Sequence, residues 1–385
     1  MTTTSQNAEA RHLLQVYGQL PLETTSAEGV YLHAGKRRII DFYGGHAVAA
    51  LGYAHPDLLA ALESQAKTMY FQSNAVALDV RAKAGDALAG IAPEGLSRVF
   101  FVNSGAEANE NALRVACRAT GRSRVLALEH GFHGRTAAAS AVTWGAAKSW
   151  YGFPRTPFDV GFIPRDDTAR AEEMINGETA AVIIELVQGL AGAYDLDPGF
   201  VLTVAEACRR TGALLIVDEV QSGVGRTGAP FAANLYGVKP DMLTTAKALG
   251  GGFPCSALLM TEALAHTLKS GDLGTTFGGG PMACALVSTV IRVIQRDRLM
   301  DNVRGLSDEI RKHAVTGPVQ SIQGKGFLLG LRCRRPAKDI QAALLERDIL
   351  VGTSSDPHVV RLLPPLTLEK QHVAKLVSAL CDIGQ

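Results

Sequence analysis

Short apolar runs bounded by turn residues recur through the middle of the chain, at Arg98–Val102, Ser123–Leu128, Phe158–Ile163, Ala181–Leu186, Ala213–Val217, Asp241–Ala246 and Ser256–Thr261. Their apolar residues are consecutive rather than alternating, which predicts strands buried on both faces. Stretches with helical spacing, such as Asn109–Thr120 and Val201–Thr211, separate several of them. That alternation predicts an α/β fold with a mostly parallel, seven-stranded sheet flanked by helices. After about residue 280 the rhythm changes. A long apolar-periodic helix from Met282 to about Leu299 leads into shorter strands and helices, which read as a second, smaller α+β domain. The first 45 residues carry an extended stretch, Gly29–Asp41, too short for a core of its own. It is expected to pack with the C-terminal domain or a partner subunit. The expected division is an N-terminal segment at 1–45, a large domain at 46–280 and a small domain at 281–385.

Composition adds exclusions. A chain of 385 residues with 47% hydrophobic and 19% charged content reads as an ordinary folded protein that needs no staples. Lysine and arginine total 38 against 37 acids, without long runs of either sign, which argues against a nucleic-acid or membrane partner. Six cysteines (Cys117, Cys208, Cys255, Cys284, Cys333 and Cys381) are scattered without a Cys-x-x-Cys pair, suggesting neither a disulfide framework nor a metal site. No signal-like or membrane-spanning apolar run is present, so a cytoplasmic protein is expected.

Four stretches carry candidate chemistry. In Val102-Asn-Ser-Gly-Ala-Glu-Ala-Asn109 a strand ends, turns and opens a helix, whose free N–H groups would suit a phosphate. The same Ser104-x-x-Glu107 spacing is also a capping box, and the two roles are compatible. Asp218 ends the apolar strand beginning at Ala213; a buried carboxylate there needs a partner, and a protonated pyridine nitrogen is one. The alternative is an exposed strand-end acid. Lys247 leaves a buried strand just before Gly250-Gly251-Gly252, where a lysine of lowered pKa could form a Schiff base with an aldehyde. A solvated lysine is the rival reading. It loses because phosphate turn, acid and lysine all stand at carboxyl ends of strands, where open α/β sheets place ligands. The last stretch is Leu273-Gly-Thr-Thr-Phe-Gly-Gly279, a glycine-rich turn with two hydroxyls for a phosphate, or a plain hinge.

Taken in order, these residues resemble the class III, fold type I aminotransferases that use pyridoxal 5'-phosphate, with the acetylornithine, succinylornithine and ornithine aminotransferases most similar. Matching stretches are Asn103-Ser-Gly-Ala-Glu-Ala-Asn109, Gly131-Phe-His-Gly-Arg-Thr136, Asp218-Glu-Val-Gln-Ser-Gly-Val-Gly-Arg-Thr-Gly228, Tyr236-Gly-Val-Lys-Pro-Asp241, Ala246-Lys-Ala-Leu-Gly-Gly-Gly-Phe-Pro254 and Arg361-Leu-Leu-Pro-Pro365. The resemblance implies that Lys247 carries the cofactor covalently and later shuttles a proton, and that Asp218 pairs with the ring nitrogen. It places Gln221 near the ring hydroxyl, Phe132 and Val220 on the two ring faces, and Ser104, Gly105 and Ala106 at the phosphate. Thr276 would reach the phosphate of a neighbouring subunit, implying a homodimer with shared active sites. Arg135 would bind the substrate α-carboxylate, with Thr275 lining the same pocket. His130 and His133 complete no metal site. His46, in Tyr43-Gly-Gly-His-Ala, is either a substrate contact or a packing residue.

The implied reaction moves the ω-amino group of an N-acylated ornithine to 2-oxoglutarate, giving a semialdehyde and glutamate in arginine biosynthesis. Rivals are another ω-amino acid, ornithine or lysine-pathway transaminase, an aminomutase, or a non-catalytic homologue. One departure bears on the donor. Relatives usually read Glu-Pro-Ile-Gln-Gly-Glu-Gly-Gly where this chain has Glu185-Leu-Val-Gln-Gly-Leu190-Ala-Gly192. In the family the second glutamate alternately neutralises and releases the arginine matching Arg361. With Leu190 there, Arg361 needs water, another acid or a substrate carboxylate as compensation, since a buried unpaired charge costs several kcal/mol. A succinylated donor could supply that carboxylate. The family's Asn-Pro is also replaced, by Gly280-Pro281, a change without a physical account.

Overall fold

The computed structural model describes residues 4–384. All seven expected strands form one sheet: β1 (Leu96–Val102), β2 (Arg124–Leu128), β3 (Asp159–Ile163), β4 (Thr179–Ile184), β5 (Leu214–Asp218), β6 (Met242–Thr245) and β7 (Ser256–Thr261). Their order is β1-β7-β6-β5-β4-β2-β3, and only β7 runs against its neighbours. Every residue of β4 is buried, as a strand covered on both faces requires. The carboxyl ends of β1, β2, β4, β5 and β6 therefore open toward one edge, and each delivers a residue of the candidate site within a few positions.

Helix α1 (Gly105–Thr120) follows β1 directly. It buries Ala108, Asn109, Ala112, Leu113, Val115 and Ala116 along one stripe and ends at Gly121 in the left-handed region (φ 67°). Helix α2 (Pro281–Arg296) starts with proline in its first turn and is buried nearly all round, packing against the helices Pro56–Thr68 and Asp79–Ile91. It ends earlier than the apolar pattern suggests. Asp297 leaves the helix, Arg298 turns left-handed (φ 51°), and Leu299 opens the next helix, Leu299–His313. Leu299 belongs to the apolar face of that second helix, which is why periodicity ran through the break.

The extended N-terminal stretch forms a hairpin, Tyr31–Ala34 with Arg37–Asp41, whose second strand pairs in parallel with Ile349–Leu350. A separate four-stranded sheet, made of Val319–Lys325, Leu328–Cys333, Val359–Leu362 and Gly352–Thr353, carries Arg361 on its third strand in that order.

Candidate active site

A cavity of about 670 Å³ opens at the carboxyl ends of the large sheet. From the sequence reading, Lys247, Asp218, Gln221, Val220 and Phe132 line it, together with Ser104, Gly105 and Ala106. Arg135, Arg361, His46 and Leu190 line it too. Thr275 and Thr276 do not. The Thr275 hydroxyl accepts from Asn103 Nδ2 (3.3 Å) and from the Gly278 N–H (3.1 Å), which closes its own turn, and Thr276 is exposed.

The floor is built around Asp218. Its Oδ2 accepts from Asn109 Nδ2 (2.7 Å) and from His133 Nδ1 (2.8 Å), and its Oδ1 from the Val220 N–H (2.9 Å). Asn109 is itself fixed, because its Nδ2 also donates to the His133 carbonyl (2.8 Å) and its Oδ1 accepts from Thr244 (2.6 Å). Four elements thus hold one carboxylate in the cavity lining, and Oδ1, with one partner, keeps acceptor capacity. A cationic ring N–H is the ligand such an acceptor suits. His133 and Asn109 escaped the sequence reading as partners of Asp218, although both stand inside the quoted motifs. His130 lies elsewhere, its ring 5.7 Å from Trp144.

Lys247 begins the 3₁₀ turn Lys247–Gly250 after β6 and stands at φ 46°, a strained conformation for a side chain with a Cβ. Its amine is buried, and that burial lowers its pKa from 10.5 to about 8; the fields of Asp218 and Glu185 oppose the shift. Glu185, after β4, accepts from the Phe132 N–H (2.9 Å) and the Gly189 N–H (3.1 Å), and burial raises its pKa. In the folded apoprotein the neutral amine therefore becomes abundant near pH 8. Covalent uptake of pyridoxal phosphate is expected to accelerate ~tenfold per pH unit below that midpoint and level off above it. A flat rate profile, or a midpoint near that of free lysine, would contradict the assignment. Linkage has a definite sign. Between about 8 and 10.5 the folded chain has released a proton that the unfolded chain still holds, so this group makes apoprotein stability rise with pH across that window.

At the α1 terminus Ser104 Oγ accepts from the Glu107 N–H (3.2 Å), while the Glu107 carboxylate returns to the Asn103 N–H (2.9 Å). The turn is capped, and the remaining N–H groups of Gly105 and Ala106 border the cavity. A Cβ on Gly105 would meet Val220 Cγ1 at 2.7 Å, so the valine packs directly on the turn. At the mouth, the Arg135 guanidinium stacks 4.4 Å over Trp150. An anion-binding helix terminus, a carboxylate with spare acceptor capacity and a near-neutral buried amine fit the phosphate, ring nitrogen and aldehyde of pyridoxal phosphate.

Arg361 is 4% exposed and meets no carboxylate among the described residues. Its Nε donates to the Thr353 carbonyl (2.7 Å), Nη1 to the Gly189 carbonyl (3.2 Å) and more weakly to Gln221 Oε1 (3.5 Å), and Nη2 to Tyr43 Oη (2.9 Å). The compensation expected from water, an acid or a substrate is thus supplied in part by neutral oxygens of the chain.

Residues 15–383 match the family described as aminotransferase class-III. An acetylornithine aminotransferase of Methanosarcina acetivorans is 37% identical, over 97% of this chain and 94% of that one. An acetylornithine/succinyldiaminopimelate aminotransferase of Yersinia pestis is 37% identical, over 89% of each chain. Among solved structures, an ornithine aminotransferase from Toxoplasma gondii, described with partial occupancy of PLP at its active site, superposes with a TM-score of 0.92 at 27% identity, over 100% of this chain and 96% of that one. The chain belongs to the class-III aminotransferases, and is a fold type I aminotransferase that depends on pyridoxal phosphate.

Proposed function

We propose that this enzyme transfers the ω-amino group of an N-acylated ornithine to 2-oxoglutarate, producing the semialdehyde and glutamate, within arginine biosynthesis. The observation that carries this reading is one cavity holding the Lys247 amine, the anchored Asp218 carboxylate and two guanidinium groups, Arg135 and Arg361. The names and identities of the relatives add support.

When bound, pyridoxal phosphate supplies an electron sink that allows an amino group to leave a carbon. Lys247, with an amine titrating near neutrality, accepts and returns the proton at that carbon. Asp218, held in place by Asn109 and His133, would pair with the ring nitrogen. Gln221 would stand near the ring hydroxyl, and Phe132 and Val220 would enclose the ring. Arg135 takes the α-carboxylate, and Arg361 a second carboxylate, such as that of 2-oxoglutarate.

Two copies sharing their active sites complete the proposal. Thr276 is exposed beside Phe277, itself 66% exposed and 5.3 Å in ring-centroid distance from Phe71, with Tyr70 and Val76 also exposed nearby along the chain. An apolar patch of this kind supports a subunit interface that brings Thr276 to the partner's phosphate site. Six free cysteines, and no helix among the described residues long and apolar enough to cross a membrane, support a cytoplasmic location.

The test is a donor panel with the purified enzyme: ornithine, N-acetylornithine, N-succinylornithine and other ω-amines, each with 2-oxoglutarate. Glutamate should form only when 2-oxoglutarate is present, and acylated donors should exceed free ornithine by about tenfold or more in kcat/KM, the scale of one buried polar contact. A product retaining its own amino group would establish an aminomutase instead. Preference for an unacylated donor would overturn the proposed substrate class.

A further inference from the structure

We propose that Trp150 is a positioning residue for the reaction: its ring holds the Arg135 guanidinium at the cavity mouth without occupying any N–H group, so every donor is free when a substrate carboxylate arrives. The inference rests on Arg135 receiving a carboxylate, as proposed above, and adds what holds that arginine in place.

The backbone carrying Arg135 is fixed to α1 on both sides. Before it, Gly134 stands at φ 136°, and a Cβ there would lie 2.6 Å from Ala106 Cβ and 2.9 Å from Ala106 Cα. The chain therefore packs directly on the turn at the α1 terminus. After it, the Glu110 carboxylate of α1 accepts from Thr136 Oγ1 (2.5 Å) and from the N–H groups of Ala138 and Ala139 (both 3.0 Å). Only the side chain of Arg135 is left to be placed.

No polar group places it. Arg135 is exposed, and among the described residues its guanidinium makes no hydrogen bond and no ion pair. What meets it is aromatic: the guanidinium carbon lies 4.4 Å from the Trp150 ring centroid and 6.0 Å from that of Phe132. The face of an indole attracts a cation through its quadrupole and takes none of its N–H groups. A carboxylate would restrain the side chain too, but it would use the same donors and offset the charge that a substrate needs. A ring leaves the planar fork intact for bidentate binding.

Trp150 is itself tied to the large sheet. The Trp144 N–H donates to the Gly131 carbonyl (2.9 Å), and the Trp144 ring meets Phe162 of β3 edge-on at 5.1 Å. Gly145, at φ 77°, then opens the short helix Ala146–Ser149, and the Trp150 N–H closes on the Ala146 carbonyl (3.0 Å). The arginine is thus held at its stem by α1 and at its head by a segment seated on β3. Trp150 does not line the cavity and touches neither Lys247 nor Asp218, so its influence passes through Arg135 and falls on binding rather than on proton transfer.

The test uses holoenzyme and single-turnover reactions. Trp150→Leu should raise the apparent dissociation constants of the amino donor and of 2-oxoglutarate about fivefold, the scale of an exposed cation–ring contact, and change the limiting rates less than about twofold. Trp150→Phe, which keeps a smaller ring face, should raise both constants about twofold. The deciding comparison is a double-mutant cycle with Arg135→Gln: once the guanidinium is gone, Trp150→Leu should have no further effect on either constant. If the leucine variant does not fold, Trp150→Phe takes its place in the cycle. Unchanged constants in Trp150→Leu, with Arg135→Gln still weakening both substrates, overturn the role of Trp150 alone. Equal weakening with and without the guanidinium also overturns it, because a ring that merely supports the fold acts in either background. Unchanged constants in Arg135→Gln overturn the reading of Arg135 as a carboxylate receptor, and this inference with it.

Discussion

Replacing Lys247 by alanine is expected to lower glutamate formation by roughly 10⁴-fold, the upper range for removing a group that moves a proton in catalysis. The size of the effect follows from where the amine sits. Among the described residues it is the one lysine lining the cavity, it stands on a strained turn, and burial has brought it to about 8, where it can both take and release a proton at neutral pH. The α1 terminus and Asp218 remain in Lys247→Ala, so the variant should still take up cofactor reversibly, and a small primary amine added to the assay should restore part of the lost rate. Residual activity within tenfold of wild type, measured by 2-oxoglutarate-dependent glutamate production, would show that another group does this work.

The second large effect is expected at Asp218, where two substitutions separate charge from shape. Asp218→Ala strands two buried donors, on Asn109 and His133, and the half-buried Val220 N–H, and each buried unsatisfied group costs about 1–3 kcal/mol. That variant should lose both stability and activity. Asp218→Asn keeps the outline and one acceptor oxygen but no charge. Its melting temperature should lie well above that of the alanine variant, while its turnover remains depressed on the order of 10²–10³-fold, the scale of losing one aimed electrostatic contact. Equal melting temperatures for the two variants would contradict the idea that the network depends on an acceptor at this position. Near-normal turnover in Asp218→Asn would show that the charge is dispensable.

The sheet was legible because its strands are buried on both faces, and such strands write themselves as unbroken apolar runs; β4 is the clearest case. Phosphate turn, acid and lysine were legible for a related reason, since each is the first polar residue after such a run. The partners of Asp218 were not. Asn109 looks like a residue on an amphipathic helix and His133 like a loop histidine, and only folding brings them to β5. The bond between Tyr43 and Arg361 joins positions 318 apart, which no local spacing encodes. Thr275 and Thr276 show the opposite limit: the motif was visible, but inside one chain Thr275 closes its own turn and meets Asn103 rather than lining the cavity.

The antiparallel strand β7 has a mechanical consequence. It is laced on one side to β1, which leads into the phosphate turn, and on the other to β6, which leads into Lys247. Ser256 at its start also donates to the Ser104 carbonyl (2.8 Å). The turn at the α1 terminus and Lys247 thus share one crosspiece, β7. The parts around Tyr43, Leu190 and Arg361 hang from separate elements. Selection can retune those without disturbing the crosspiece, so a lineage built on this frame can reshape that wall of the cavity while the turn at α1 and Lys247 keep their places.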